Sequence, residues 1–139
     1  MMSIAASDPI VLVDNERSTY KVARRAFVDP VILRAEQSAI FDHCWLYLGH
    51  ASELANDGDF VPRTIAHRSI LFTRDAKSQL HALFNTCAHR GAQVCREPKG
   101  NAKALQCCYH GWTYDPDDRL RGQPGKEGYA AVSRGRAAG

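Results

Sequence analysis

The amino-acid sequence predicts a mainly β protein: a small antiparallel β-sandwich, preceded by an N-terminal arm and one α-helix. Two observations predict this fold class. After Asp59 the chain divides into short apolar segments separated by polar turns, which is typical of antiparallel sheets. Before Asp59 only one stretch has apolar residues at helical spacing. With 139 residues, 45% hydrophobic and 24% charged, the composition is that of one globular domain.

The first 28 residues are predicted to form the N-terminal arm, because residues 1–16 have neither helical nor strand periodicity. The start of the chain has no Lys or Arg before Asp14 and therefore does not resemble a secretory signal. No apolar run approaches the roughly 20 residues that span a bilayer. We expect a cytoplasmic protein that does not enter a membrane.

A helix is predicted to begin at Asp29 and Pro30. Aspartate can accept hydrogen bonds from the first free backbone N–H groups, and proline suits the first helical position. Apolar residues then recur at helical spacing to about His43: Ile32, Ala35, Ala39 and Ile40. Residues 45–48 are predicted to form a buried strand, so that residues 29–48 are a helix and lead-in strand packed on the next domain.

Residues 49–130 are predicted to form the main β domain. Its five predicted strands span residues 60–66, 69–74, 80–85, 102–106 and 113–115. The tail, residues 131–139, is made mostly of small and basic residues without a hydrophobic pattern. We expect this tail to be disordered, and the chain to be truncated there.

Two short motifs carry the chemistry of this chain. They are Cys87-Ala88-His89 and Cys107-Cys108-Tyr109-His110, with 17 residues between His89 and Cys107. Each motif follows a predicted strand and is itself followed by a glycine within two residues. One cysteine and one histidine in each motif is the ligand pattern of a Rieske iron–sulfur site, in which a [2Fe–2S] cluster has two thiolate and two imidazole ligands. The motifs therefore predict one-electron transfer.

Structural zinc is the main alternative, because two Cys and two His can also close a tetrahedral site. Zinc fingers usually group Cys with Cys and His with His, whereas each motif here contains one of each. Gly91 and Gly111 also favour a cluster, since they let the backbone approach inorganic sulfides and direct N–H groups toward them.

The remaining cysteines and histidines are assigned other roles. Cys44 and Cys95 are predicted to be buried as small hydrophobic residues, and Cys108 to have no ligand role. The other histidines are expected at the surface or at helix ends: His43, His50, His67 and His81.

The segments 87–95 and 100–112 resemble the large (α) subunits of bacterial aromatic-ring-hydroxylating dioxygenases. The resemblance covers roughly residues 17–130 and includes three shorter stretches: 41–50, 58–60 and 123–129. It implies that Cys87 and Cys107 bind one iron, and that His89 and His110 bind the other. It also implies a set of residues that line the cluster: Arg90, Gly91, Tyr109, Gly111 and Trp112.

The resemblance further implies the partners of the intact enzyme. A reductase, sometimes through a ferredoxin, would deliver electrons, and the α subunits would assemble with one another and with β subunits. A mononuclear Fe(II), held by two histidines and a carboxylate in a neighbouring subunit, would then hydroxylate an aromatic ring to a cis-dihydrodiol. We find no Asp/Glu-x-x-His-x(4–5)-His motif in this chain, so we expect only the electron-input half here.

A second hypothesis is a free-standing Rieske-type ferredoxin. The predicted helix from Asp29 argues against it, because such ferredoxins generally begin at the first strand of the β domain. Nucleic acid is not an expected partner of either protein, since the net charge is only +3 and the basic residues are scattered.

We predict a reduction potential on the order of −150 mV, at the low end of the Rieske range. Respiratory Rieske proteins have a disulfide between their cluster loops and a serine hydroxyl near a sulfide. Here Ala92 and Tyr109 occupy the disulfide positions and Trp112 replaces the serine, which leaves fewer donors to stabilise the reduced state. A redox titration followed by EPR measures the midpoint, and a value above zero would contradict this prediction.

Overall fold

The computed structural model describes residues 9–128, and the predicted disordered tail at residues 131–139 lies outside them. The chain divides into two compact units, Met1–Trp45 and Leu46–Gly139. All sheet pairings are antiparallel, which confirms the predicted fold class. The predicted boundaries after residues 28, 48 and 130 stay predictions, as does the packing of the helix on the β domain.

The first unit begins with a β-hairpin inside the predicted arm. Strand β1 (Val11–Asp14) pairs with β2 (Thr19–Val22). The Asp14 carboxylate accepts a hydrogen bond from the backbone N–H of Arg17 at 3.0 Å and so stabilises the turn between the strands. Sequence analysis missed this hairpin because β1 lacks the alternation of apolar and polar residues that marks a half-buried strand.

The predicted helix begins where the sequence placed it. Helix α2 (Pro30–Glu36) is capped by Asp29, whose carboxylate accepts from the backbone N–H of Val31 at 2.8 Å. The helical path continues through a π-helical turn, Gln37–Phe41, two residues short of the predicted end. A shorter helix, α1 (Arg25–Val28), precedes it within the predicted arm. None of the helices in residues 9–128 is long and apolar enough to cross a bilayer.

The predicted buried strand at residues 45–48 is wrong. The structure has no strand over these residues, and the side chain of Trp45 is fully exposed. Tyr47 is also exposed, whereas Leu46 and Leu48 are half-buried, as in an extended segment with one covered side. A run of four apolar residues cannot show whether a neighbouring strand pairs with it, which explains the error.

The second unit contains a four-stranded sheet with the strand order β5-β4-β3-β6. Its strands are β3 (Asp59–Ile65), β4 (Arg68–Arg74), β5 (Leu80–Phe84) and β6 (Gly100–Asn101). The first three confirm the predicted strands to within one residue at each end.

A three-stranded sheet, with the order β7-β8-β9, completes the second unit. Its strands are β7 (Leu105–Gln106), β8 (Thr113–Tyr114) and β9 (Leu120–Gly122). The predicted strand at 102–106 is shorter than expected, and β9 was not predicted. β9 is short and contains Arg121 and Gly122, which do not favour a strand on their own.

The core of the second unit includes both predicted ligand cysteines. Phe60 and Leu71 come from the four-stranded sheet, and Leu105 and Tyr114 come from the three-stranded sheet. The other members of the cluster lie in or beside the ligand loops: Cys87, Val94, Cys95, Cys107 and Trp112. The hydrophobic packing of this unit is therefore continuous with the base of the predicted metal site.

We predict that Gly100→Ala destabilises the chain by about 1–3 kcal/mol, because the site has no room for a methyl group. An added Cβ would lie 2.7 Å from Cζ of Phe60, the core residue that pairs with Gly100. Urea unfolding measures the change in the free energy of unfolding. Gly122→Ala is the matched control, since it also lies in a strand and nothing is within 4 Å of its added Cβ. Equal stability of the two variants would contradict the prediction.

Candidate metal centre

The two predicted ligand loops close in the same way. In the first loop, the backbone N–H of Gly91 donates to the carbonyl of Cys87 at 2.9 Å, and the N–H of Cys87 donates to the carbonyl of Ala92 at 2.7 Å. In the second loop, Gly111 donates to Cys107 at 3.0 Å, and Cys107 donates to Trp112 at 2.8 Å. Each loop is therefore a tight turn that begins at a cysteine and closes five residues later.

The glycines occupy the same position in both turns. Gly91 and Gly111 have φ angles of +71° and +72°, a left-handed conformation that other residues adopt at a cost. Each glycine lies four residues after its cysteine, although the histidine lies two residues after Cys87 and three after Cys107. The glycine that follows each motif in the sequence therefore has the backbone conformation that the turn requires.

The thiols of Cys87 and Cys107 are both 2% exposed and are close enough to hydrogen-bond to each other. Tyr114 of β8 lies beside them, with its hydroxyl 3.2 Å from Sγ of Cys87. The backbone N–H of Ala88 donates to the same hydroxyl oxygen at 3.1 Å. The hydroxyl can donate its proton to the sulfur while its oxygen accepts from Ala88.

These contacts set the acidity of Cys87. Burial would raise the pKa of its thiol, but the hydrogen bonds that it accepts outweigh burial and lower the pKa below its ordinary value. The donors are the Tyr114 hydroxyl and the backbone N–H groups of His89 and Arg90, together with the Cys107 thiol. A metal binds the thiolate form of cysteine, so this environment favours the form that a metal requires.

The two predicted histidine ligands form a second pair. The ring centroids of His89 and His110 are 4.6 Å apart, with an angle of 71° between the planes. The His89 ring also stacks on Trp112, with centroids 5.0 Å apart and planes 7° from parallel. Burial, followed by the electrostatic effects of His110 and Arg90, lowers the pKa of His89, which keeps its imidazole neutral and able to bind a metal.

The residues expected to line the site lie around these two pairs at different depths. Trp112 is 3% exposed, whereas Tyr109 is 59% exposed and its ring centroid is 3.8 Å from that of His110. Arg90 is exposed at the outer side of the first loop. The structure therefore places Cys87 beside Cys107 and His89 beside His110, with Trp112 stacked on His89 and Tyr109 exposed beside His110.

The predictions for the other cysteines and histidines are confirmed only in part. Cys95 is buried as predicted and Cys108 is exposed, but the prediction for Cys44 is wrong because it is exposed. His50 caps a 3₁₀ turn, Ala51–Glu53, in agreement with the expected helix-end role. His81 binds the Asp75 carboxylate at 2.9 Å, and this hydrogen bond is the largest cause that lowers the pKa of Asp75 to about 2. The hairpin of β4 and β5 brings His81 close to Asp75, a contact that the spacing of the two residues in the sequence did not indicate.

The site fits a [2Fe–2S] cluster in its set of donors and in the space at its first glycine. Its donors are two buried sulfurs and two imidazoles, which form a thiol pair and a histidine pair. Such a cluster needs two ligands for each iron, whereas zinc needs four around one ion. The position of an added Cβ at Gly91 is open, with no atom within 4 Å.

Comparison with known families decides the class of the chain. Residues 44–133 match the family described as the Rieske [2Fe–2S] domain. The chain belongs to this family. It carries a Rieske [2Fe–2S] domain, and the matched residues include both ligand loops and both sheets of the second unit.

Known relatives of this Rieske chain are oxygenase subunits. It is 41% identical over 101 residues to the large subunit of anthranilate 1,2-dioxygenase from Acinetobacter baylyi, covering 73% of this chain and 21% of that protein. Among solved structures it is similar to naphthalene 1,2-dioxygenase from Rhodococcus sp., with 39% identity and a TM-score of 0.68, covering 71% of this chain and 22% of that one. A quaternary ammonium Rieske monooxygenase matches with 28% identity and a TM-score of 0.70, covering 80% and 32%.

The Rieske chain is much shorter than these relatives. It spans about a fifth to a quarter of the curated relatives that it matches first, from 21% to 26% of their length. The resemblance to α subunits of ring-hydroxylating dioxygenases that the motifs predicted is confirmed by the named relatives.

Sequence analysis missed Tyr114, the hydroxyl donor beside Cys87. The segment Thr113–Asp115 was interpreted only as a strand that follows a ligand loop. Alternation along β8 could have indicated its burial, since Trp112 and Tyr114 are buried and Thr113 is only half-buried. Its contact with the other loop depends on the fold, which brings residues 87 and 114 together across 27 positions.

We predict that Tyr114→Phe lowers the reduction potential by roughly 50 mV, a little under the 59 mV that corresponds to a tenfold change for one electron. The hydroxyl donates more strongly to a sulfur that carries more negative charge, so its loss disfavours the reduced state. A redox titration followed by EPR measures the midpoint. Tyr47→Phe is the control, because the Tyr47 side chain is 77% exposed. An unchanged midpoint in Tyr114→Phe would show that the hydroxyl does not stabilise the reduced state.

Proposed function

We propose that this chain transfers single electrons through a Rieske [2Fe–2S] cluster bound by Cys87, His89, Cys107 and His110. When bound, such a cluster accepts and releases one electron. The observation that supports the proposal is the matched closure of the two loops, which carry a buried pair of thiols and a pair of neighbouring histidines. In this assignment Cys87 and Cys107 bind one iron, and His89 and His110 bind the other.

The surrounding residues prepare the ligands for this role. Hydrogen bonds to Cys87 favour its thiolate, and burial keeps His89 in its neutral form. Trp112 packs against His89 and excludes water from that side of the ring. Gly91 and Gly111 complete the turns in a left-handed conformation that a residue with a side chain would adopt only with strain.

The site has an inner and an outer side. The thiols lie against the core, whereas His110 and Tyr109 are exposed. A protein that donates or accepts electrons therefore approaches the site from the side on which the histidines lie. Because imidazole is uncharged, that side is also the one on which added negative charge is best tolerated.

The broader role is that of the electron-input half of an aromatic-ring-hydroxylating dioxygenase α subunit. This proposal is supported by relatives named as large or α subunits of dioxygenases that act on anthranilate, toluate and biphenyl. In this role the chain takes electrons from a reductase or a ferredoxin, in the cytoplasm, within an assembly of α and β subunits. The mononuclear Fe(II) and the oxygenation step belong to a catalytic domain that the described residues do not include.

The test is EPR spectroscopy of the chain, purified without oxygen and reduced with dithionite. We expect a rhombic signal with an average g value below that of the free electron. Cys107→Ser should abolish this signal, whereas Cys108→Ser should keep it, because the buried Cys107 is a proposed ligand and the exposed Cys108 is not. His110→Cys should replace the rhombic signal with one typical of a cluster with more thiolate ligands.

His67→Asn is the control for the histidine variant. His67 is exposed in a turn with a φ angle of +67°, a conformation that asparagine tolerates, so the signal should not change. Bound zinc in a chain that gives no signal after reduction would overturn the proposal. A signal that survives Cys107→Ser would overturn the ligand assignment.

A further inference from the structure

Asn85 lies where β5 ends and the first ligand loop begins, and it is 1% exposed. Its backbone N–H donates to the carbonyl of Ser69 at 2.9 Å, just beyond the last pair of the β4–β5 ladder. The backbone of Asn85 is therefore held by the four-stranded sheet. Its side chain donates to Oγ of Ser69 at 3.4 Å and forms a second, shorter set of contacts beyond this ladder.

The carboxamide of Asn85 forms two hydrogen bonds with a single residue. Its Nδ2 donates to the carbonyl of Cys95 at 2.8 Å, and its Oδ1 accepts from the backbone N–H of Cys95 at 2.8 Å. One donor and one acceptor facing one residue is how two backbones pair in an antiparallel ladder. The side chain thus takes the place of a neighbouring strand, and we call this pair of hydrogen bonds the Asn85 clamp.

The Asn85 clamp encloses the first ligand loop. Cys87 and His89 lie between residues 85 and 95, inside the smaller turn that Cys87 and Ala92 close. The second ligand loop is flanked by backbone pairing instead, with Gln106 of β7 opposite Thr113 of β8. Both loops therefore have an inner turn and an outer closure, but the outer closure of the first loop depends on a side chain.

The far end of the clamp is fixed in the core. Cys95 and its neighbour Val94 are each 6% exposed and belong to the same buried cluster as Cys87 and Trp112. The clamp therefore connects the end of β5 to a residue that the core already holds. A change in its length or hydrogen bonding would move the loop that lies between these two points.

We propose that Asn85 is a positioning residue for the Rieske site: its clamp sets the width of the first ligand loop and thereby the placement of Cys87 and His89 opposite the second loop. This inference rests on the proposed function. Asparagine suits the role because it supplies a donor and an acceptor at the right reach. Aspartate keeps the acceptor but lacks the donor, and leucine has a similar shape but neither group.

The experiment compares Asn85→Asp and Asn85→Leu with Thr73→Val, all in the chain purified with its cluster. Thr73 is a matched control because it is 0% exposed and its hydroxyl donates to the carbonyl of Pro116 at 2.6 Å, at the opposite end of β4. The measurements are the EPR spectrum, the reduction midpoint and the rate at which an iron chelator bleaches the cluster. Melting temperature reports the loss of stability in each variant.

We expect both Asn85 variants to broaden the rhombic EPR signal, shift the midpoint and lose the cluster roughly tenfold faster than the wild type. Thr73→Val should lower the melting temperature but keep the wild-type spectrum and midpoint. The inference is overturned if the Asn85 variants melt earlier yet keep the wild-type spectrum, midpoint and bleaching rate. A wild-type chain without any rhombic signal would instead defeat the proposed function.

Amide hydrogen exchange in the wild type decides the matter if neither Asn85 variant folds. The clamp predicts that the N–H of Cys95 exchanges far more slowly than that of Gln93, which lies in the same loop at an exposed position. Slow exchange at Cys95 supports the inference, and equal rates at the two positions overturn it.

Discussion

The short closure of the two ligand loops is the constraint on which the site depends. The backbone N–H of each cysteine donates to the carbonyl of the residue five positions later. Its carbonyl accepts from the N–H of the residue four positions later. This turn is possible because a glycine with positive φ occupies the fourth position in both loops. The closure holds the thiols of Cys87 and Cys107 against the core, and leaves the intervening residues to reach outward.

The cysteines of the proposed site are also members of the hydrophobic core. Cys87, Cys107 and Trp112 belong to the same buried cluster as Phe60 and Leu71 of the four-stranded sheet. Tyr114 links the two loops, because it follows the second loop along the chain and its hydroxyl contacts the thiol of the first. The packing that stabilises this unit therefore also fixes the geometry of the proposed ligands, and a loss of core packing would disturb both ligand loops.

The sequence predicted the parts of the structure that depend on local pattern. Asp29 and Pro30 identified a helix start, and the two Cys–His motifs identified the two loops that close in the same way. The errors arose where burial depends on distant residues: Trp45 was expected inside and is exposed. Tyr114 and the Asn85 clamp were missed for the same reason, since their partners are 27 and 10 positions away.

The backbones of the two loops close in the same way, but their histidines are exposed to different extents. The site is therefore more open to solvent at one histidine than at the other. One residue separates Cys87 from His89, whereas two separate Cys107 from His110, so the two imidazoles emerge at different points of otherwise similar turns. Trp112 covers one face of His89, while His110 is exposed beside Tyr109. A partner that approaches this surface meets His110 first. The asymmetry arises because the histidine lies one position later in the second loop, while the two loops keep the same length and the same backbone closure.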